Sequence, residues 1–298
     1  MDQAEKLRNI IKLQNQELKN RSRVITVTSG KGGVGKSSVA INLAVKFREM
    51  GKRVIIFDAD FGLANIEVMF GAIPKYNLAD MIFKGKDLKD IIVKGPMDIG
   101  FISGGSGING LGNMNRDQVA YLVYKLRELE TLADVIIIDT GAGIADSVLE
   151  FVASSGEVLL VATPEPTSIT DAYALLKSLN VRSSFDRETT EIKVIANRVT
   201  NEEEGINLFN KLNVVVSKFL NINLQFLGIV PVDQAMSKAV MQQKPVSMAF
   251  ANSSAAKAID DLARKLMNQP ESDKSSKKGL AQVVLSLFNR NNQKKNIQ

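Results

Sequence analysis

Short apolar runs alternate with longer amphipathic segments along the chain. Seven runs rich in Val, Ile, Leu and Phe stand at residues 24–28, 54–57, 99–102, 135–138, 158–161, 192–196 and 226–230. The segments between them carry apolar residues at helical spacing, so strands and helices are expected to alternate. The unbroken run VIII at residues 135–138 is typical of a parallel sheet that is covered on both faces. The pattern predicts an α/β fold with a mostly parallel, doubly wound sheet flanked by helices.

The two ends of the chain depart from this pattern. Residues 1–22 precede the first strand and predict a separate helical arm, whereas residues 23–268 carry the α/β pattern. Residues 269–278 have no apolar residue except proline, which predicts a linker. Residues 279–298 then predict an amphipathic helix, since five apolar residues fall at i, i+3, i+4, i+7 and i+8. These residues are Leu280, Val283, Val284, Leu287 and Phe288.

Composition narrows the chemistry. The chain has 298 residues with no Cys and no His, which excludes disulfides, thiolate-bound iron–sulfur clusters, a Cys nucleophile and an imidazole base. Oxygen-ligated metals remain open, with Mg²⁺ the leading candidate. No apolar run approaches the roughly 20 residues of a membrane-spanning helix, so a membrane contact would be peripheral.

Charge is concentrated at the two ends. Of the net charge of +6, residues 1–23 contribute +3 and residues 271–298 contribute +4, which leaves −1 for the rest of the chain. The near-neutral main domain argues against a broad nucleic-acid-binding face and makes DNA an unlikely partner. The basic ends are where acidic partners are expected.

A glycine-rich loop with the pattern G-x₄-G-K-S follows the first strand and precedes a predicted helix. Its backbone N–H groups and the helix N-terminus are suited to hold phosphates. Lys36 should reach the β- and γ-phosphates, and the Ser37 hydroxyl should bind Mg²⁺. The predicted nucleotide-binding residues of this loop are Gly30, Lys31, Gly32, Gly33, Val34, Gly35, Lys36, Ser37 and Ser38.

The second lysine of this loop, Lys31, gives the sequence KGGVGKS a resemblance to the MinD/ParA group of P-loop ATPases, which belong to the SIMIBI class. The resemblance covers most of residues 23–268. It implies an ATP-dependent homodimer in which Lys31 contacts the nucleotide of the partner copy and neutralises charge in the transition state. ATP or ADP with Mg²⁺ would be the cofactors, and hydrolysis would be slow and dependent on dimerisation.

Acidic residues end two of the predicted strands. Asp58 and Asp60 follow one strand and Asp139 ends another, at the carboxyl edge where open α/β sheets bind ligands. The resemblance implies that Asp60 positions or activates the attacking water, that Asp58 supports the site and that Asp139 holds the metal through water. Asp58 could equally be a turn-forming residue. Gly141 stands where the family often has proline, and with Gly143 it would suit a loop that senses the γ-phosphate.

Two further segments concern the nucleotide base. Asn197 and Arg198 stand after a predicted strand where GTPases carry N-K-x-D, and an Asn side chain offers a donor and an acceptor to adenine. The segment Pro231, Val232 and Asp233 resembles the part of the family that flanks adenine. Each could also be an ordinary loop, but together they favour ATP over GTP.

The N-terminus resembles the D-Q-A-x-x-L-R element of FlhG-type flagellar regulators. The matching residues are Asp2, Gln3, Ala4, Leu7 and Arg8. The resemblance implies stimulation of an FlhF-type GTPase and contact with flagellar C-ring proteins, with a solvated arm as the alternative.

These features together predict a switch ATPase that controls the number and placement of flagella. ATP-driven dimerisation would present two C-terminal helices to an anionic membrane, so the protein would alternate between the cytoplasm and the inner face of the cell membrane. Alternatively, the last helix packs on the protein's own core, with release on ATP binding. The other functions considered are MinD-like placement of the division site, ParA-like DNA partitioning and a nucleotide-gated scaffold with negligible turnover.

Overall fold

The strands come from apolar segments that are buried along nearly their whole length. The structure, a computed structural model, describes residues 22–60, 65–104, 116–268 and 279–283. Within these ranges it contains the strands β1 (Arg23–Ser29), β2 (Val54–Ala59), β3 (Val93–Lys94), β4 (Gly100–Ser103), β5 (Val135–Ala142), β6 (Glu157–Ala162), β7 (Glu191–Val199) and β8 (Leu224–Pro231). They form one sheet in the order β3-β4-β2-β5-β1-β6-β7-β8, in which only the β3–β4 pair is antiparallel.

Helices connect the strands and cover both faces of the sheet. They are α1 (Lys36–Glu49), α2 (Asn65–Phe70), α3 (Leu78–Lys84), α4 (Leu88–Ile91), α5 (Arg116–Leu132), α6 (Asp146–Ser154), α7 (Pro166–Asn180), α8 (Glu202–Leu220), α9 (Gln234–Met241), α10 (Val246–Ala249) and α11 (Ser254–Asn268), with a 3₁₀ turn at Pro96–Asp98. In the described part of the chain, no helix is both long and apolar enough to cross a membrane.

Alternate residues along a strand pack into different hydrophobic clusters, one on each face of the sheet. Ile25 and Val27 of β1 point to a cluster built with α1 and α11, while Val24 joins a cluster on the opposite face with α3 and α5. A third cluster joins β6 and β7 to α6, α7 and α8. Because both faces are covered, the strands need apolar residues on both sides, which is the reason for their unbroken hydrophobic runs.

The predicted α/β fold is confirmed, and each of the seven apolar runs coincides with a strand, with small differences at the ends. The sequence did not reveal β3, which has two residues and pairs through Val93 with Phe101 and through Lys94 with Gly100. So short an edge strand has no repeating pattern that could distinguish it from a loop.

The two ends of the described body meet beside the C-terminal end of α5. The Ser22 hydroxyl donates to the main-chain oxygens of Glu130 (2.6 Å) and Ala133 (2.8 Å), which lie where helix carbonyls lack partners within the helix. The Glu130 carboxylate accepts a hydrogen bond from the Ala281 N–H at 2.9 Å. A Cβ on Gly279 would lie 2.5 Å from Glu130 Oε1, so a larger residue there would have to displace the Glu130 carboxylate.

Candidate functional site

The phosphate loop connects the end of β1 to the start of α1. Gly33 (φ +77°) and Gly35 (φ +95°) adopt left-handed conformations that favour glycine. Helix α1 begins without a side-chain cap, so its first N–H groups face the loop with no side-chain acceptor. Lys36 opens the helix and is buried. Backbone N–H groups, a helix N-terminus and a lysine therefore converge as an anion site requires.

Gly30 fixes the loop against a neighbouring helix. A Cβ on Gly30 would lie 2.1 Å from the carbonyl carbon of Asp171, which belongs to the backbone of α7. Backbone cannot give way as a flexible side chain can, so this position requires glycine. The start of the phosphate loop therefore lies directly on α7.

Three carboxylates lie beside the loop at the carboxyl edge of the sheet. Asp58 of β2 pairs in register with Asp139 of β5, and Asp139 is also opposite Val27 of β1. The Asp60 N–H donates to Asp58 Oδ1 at 3.0 Å. The local turn foreseen as the alternative for Asp58 is therefore present, and its carboxylate nevertheless lies in the site.

Burial destabilises the ionised form of the carboxylates in this site. It raises the pKa of Asp58 to about 8, and the nearby charges of Asp139, Asp60 and Glu67 add to the increase. Burial likewise raises the pKa of Asp139 to about 6, although the Lys36 ammonium and the Ser37 hydroxyl lie close enough to favour the carboxylate. Neither Asp139 oxygen accepts a hydrogen bond of ordinary geometry. A cation would relieve both costs.

These residues fit a magnesium ion that is bound together with phosphates. The described residues contain no group of three acidic side chains arranged to hold a metal by themselves. Mg²⁺ usually retains several waters and takes one or two carboxylates plus phosphate oxygens, so no such group is required. The predicted metal residues Ser37, Asp58, Asp60 and Asp139 border the same edge, and their role as ligands remains a prediction.

The loop after β5 is attached to the phosphate loop. The Gly143 N–H donates to the Ser29 oxygen at 2.9 Å, and Gly143 has φ +87°. A Cβ on Gly141 would lie 3.6 Å from Asp60 Oδ1, so this segment also borders the carboxylates. Its position suits the predicted sensing of a γ-phosphate, with glycine in place of the family's proline.

Lys31 does not point freely into solvent. Its ammonium bonds Glu165 Oε2 at 2.5 Å and Thr167 Oγ1 at 2.8 Å. The ammonium lowers the pKa of the Glu165 carboxyl through this hydrogen bond. Sequence reasoning missed both partners, although an acidic residue three positions after β6, at the same edge as the other carboxylates, was a usable signal.

The Asn197 side chain supports the phosphate loop through a hydrogen bond to its main chain. It is buried, and its Nδ2 donates to the Val34 oxygen at 2.7 Å, inside the loop. This bond uses one of the groups that we expected to face adenine. Arg198 follows in a left-handed conformation with φ +58° and is exposed. Asn197 is therefore a buried residue that stabilises the phosphate loop, whereas Arg198 next to it is an exposed cation.

Replacing Asn197 with alanine is expected to weaken nucleotide binding by about 10-fold. The change removes the hydrogen bond to Val34 and leaves a buried carbonyl without its partner, which costs about 1–3 kcal/mol. Titration with a fluorescent ATP analogue would measure the affinity. Asn207→Ala, on the exposed surface of α8, is the matched control. Equal affinity of both variants would contradict a supporting role for Asn197.

The segment predicted to flank adenine lies next to Asn197. Asn197 pairs with Val230, and the Val232 N–H donates to the Val199 oxygen at 2.9 Å. The Asp233 carboxylate accepts from the N–H groups of Ala235 and Ala255, so it caps α9 and α11. Pro231 and Val232 thus remain candidates for backbone or apolar contact with a base, while the Asp233 side chain has a structural role.

The predicted membrane stripe begins buried. Leu280 and Val283 are inaccessible to solvent and belong to the core cluster of α3 and α5. Their burial agrees with the alternative in which the helix packs on the protein's own core, and the role of these two residues at a membrane stays a prediction. Val284, Leu287, Phe288 and the arm residues 2–8 lie outside the described residues.

Comparison with known proteins places this geometry in a family. A family model described as ParA, NUBPL iron-transfer P-loop NTPase, matches residues 20–267. The antiactivator FleN of Pseudomonas aeruginosa is 43% identical over 83% of this chain and 87% of its own length. The flagellum site-determining protein YlxH of Helicobacter pylori is 31% identical over 91% and 92%. No cysteine or histidine is present to serve iron transfer.

The fold comparison agrees with these relatives. The septum site-determining protein MinD from Pyrococcus horikoshii, solved with Mg-ADP, superposes with a TM-score of 0.62 at 22% identity, and the match covers 87% of this chain and 99% of that one. Sequence, sheet order and phosphate loop thus point the same way, and the chain belongs to the ParA/MinD family of P-loop ATPases.

Proposed function

We propose that this protein is an ATP-dependent, dimerising switch that associates with the membrane and controls the number and placement of flagella. The observation that carries the proposal is the phosphate loop, which contains the second lysine Lys31 and whose Lys36 and Ser37 lie close to Asp139, itself in register with Asp58. The flagellar names of the relatives FleN and YlxH support the biological role.

In this proposal the described residues bind and orient Mg-ATP. The loop N–H groups and Lys36 hold the phosphates, while Ser37 and Asp139 would hold Mg²⁺. Bound Mg²⁺ would neutralise charge on the phosphates. Asp60 orients the attacking water, and Lys31 of one copy reaches the nucleotide of the other. Hydrolysis is slow because the site is complete only in the dimer.

Residues 2–8 are proposed to stimulate an FlhF-type GTPase, and C-ring proteins are proposed as further partners. Residues 279–298 are proposed as the membrane anchor. The buried start of this segment, with Leu280 and Val283 in the core, supports an anchor that is sheltered before ATP binding. Two weak anchors on one dimer gain avidity of about 10²–10⁴-fold, so dimerisation controls recruitment to the membrane.

Vesicle flotation tests the membrane switch. The full chain should float with anionic vesicles in ATP but not in ADP, and removal of residues 279–298 should abolish flotation. Gly279→Ala should float without ATP, since its Cβ would displace the Glu130 carboxylate, which accepts the Ala281 N–H, and so loosen the start of the helix. Gln282→Ala, on the exposed side of the same turn, is the control. A truncated chain that still floats in ATP would rule out this anchor.

Placement of the division site is the second candidate, favoured by the structural similarity to a MinD protein. It predicts that a deletion strain divides at wrong positions while its flagellar number stays normal. The flagellar proposal predicts the reverse, so counting flagella and division sites in one strain separates the two functions.

A further inference from the structure

Lys31, the lysine proposed to reach the partner's nucleotide, is bound by two residues of its own chain. Glu165 directly precedes α7 and Thr167 lies in its first turn, and both bond the Lys31 ammonium. An ammonium group has three N–H donors, and two of them are used here. The contact joins the start of the phosphate loop to the first turn of α7 across 134 positions of sequence.

The backbone holds the two halves of this contact in place. Gly30, next to Lys31, lies against the backbone of Asp171, one turn further along α7. The first turn of α7 is fixed as well, since the Ser168 hydroxyl accepts a hydrogen bond from the Thr163 N–H at 3.0 Å. Glu165 therefore stands within reach of Lys31 because of the fold, and not through the chance meeting of two mobile side chains.

We propose that Glu165, assisted by Thr167, holds Lys31 in this resting position and thereby restrains closure of the ATP-bound dimer. The inference rests on the proposed function, in which Lys31 reaches the partner's nucleotide. A lysine bonded to its own Glu165 cannot reach across the interface at the same time. Glu165 is thus a positioning residue that sets the ATP concentration and protein concentration at which two copies close.

The solvent exposure of the Lys31–Glu165 ion pair determines how strongly its loss should change dimerisation. The side chains of Lys31 and Glu165 are 35% and 54% exposed. An exposed ion pair shifts an equilibrium by a factor of about 1.4–5. Closure of one dimer breaks two such pairs, so loss of the Glu165 charge should tighten dimerisation by about 2- to 30-fold. The advantage should shrink at high salt, because salt already screens the pair in the unmodified protein.

Glu165→Gln in the full chain tests the proposal. Sedimentation equilibrium with Mg²⁺ and a non-hydrolysable ATP analogue should give a dimer dissociation constant about 2- to 30-fold lower than in the unmodified protein at 50 mM salt, with a smaller difference at 500 mM. Thr167→Val should shift it less, in the same direction. Glu203→Gln, in the first turn of α8 at the same edge of the sheet, removes an equal charge outside the contact and should change nothing.

A measurement on the monomer tests the contact itself. Acetylation of Lys31 by limiting acetic anhydride, followed by mass spectrometry, should rise in Glu165→Gln but not in Glu203→Gln. Increased labelling with unchanged or weaker dimerisation would overturn the proposal while leaving the dimeric switch intact. Equal labelling would overturn it too. If the unmodified protein stays monomeric with the analogue, the proposed function itself fails and the proposal fails with it.

Discussion

Replacing Asp139 with asparagine is expected to reduce Mg²⁺-dependent ATP hydrolysis by about 10²–10³-fold, although the substitution preserves the shape of the side chain. Removing one preorganised electrostatic group from an active site typically costs this much. Asp139 is fully buried in the middle of the sheet, between β1 and β2, and neither of its oxygens accepts a hydrogen bond of ordinary geometry. Phosphate release measured with saturating ATP and Mg²⁺ checks the rate.

The same substitution should make the metal-free protein relatively more stable as the pH rises. The pKa of Asp139 is about 6 in the folded protein, above its ordinary value of 3.8. The folded state therefore binds more protons between these values, and the cost of the buried charge grows up to about pH 6 and stays complete above it. The change in unfolding free energy caused by Asp139→Asn should thus be more favourable at pH 8 than at pH 5.

Asp134→Asn is the control for this pH dependence. The Arg53 guanidinium, through its hydrogen bond, lowers the pKa of the Asp134 carboxyl. The stability that Asp134 provides is present above the ordinary pKa and is lost only as the pH falls through the folded pKa, so its loss should cost the same at pH 5 and pH 8. Urea denaturation at both pH values measures the changes. An equal effect of Asp139→Asn at the two pH values would contradict the conclusion that the buried Asp139 carboxylate destabilises the folded protein.

Gly30→Ala should produce the second large effect, a fall of about 2–5 °C in the melting temperature together with loss of nucleotide binding. Its Cβ would lie 2.1 Å from the backbone of Asp171, and such overpacking typically costs 1–3 kcal/mol or more. Gly32→Ala is the matched control, because a Cβ at Gly32 meets nothing within 4 Å and should leave the melting temperature unchanged. Similar melting temperatures for both variants would show that α7 can move aside.

The fold was predictable because its signals are local. A buried parallel strand such as β2 needs apolar residues on both faces, so the run VIIF identifies it without knowledge of its neighbours. The phosphate loop was equally clear, since glycines, Lys36 and Ser37 must follow one another in sequence. Asp58 and Asp139 were expected at the carboxyl edge because each follows the apolar run of a predicted parallel strand.

The roles of other site residues depend on distant contacts and could not be read locally. Asn197 bonds Val34 across 163 positions, so its use as a support for the loop appears only after folding. Glu165, which binds Lys31, is 134 positions away in sequence, and the Asp233 carboxylate already accepts hydrogen bonds at the starts of α9 and α11. The amphipathic stripe was correctly seen as one apolar face, but a stripe cannot tell whether lipid or the protein's own core will cover it.

The meeting of both ends of the described body beside α5 has a consequence for how they are held. Ser22 and Ala281 are both hydrogen-bonded to Glu130, Ser22 to its main-chain oxygen and Ala281 to its carboxylate. Both ends of the described body therefore depend on the same last turn of α5, and a disturbance of this turn reaches residue 22 and residue 281 at once.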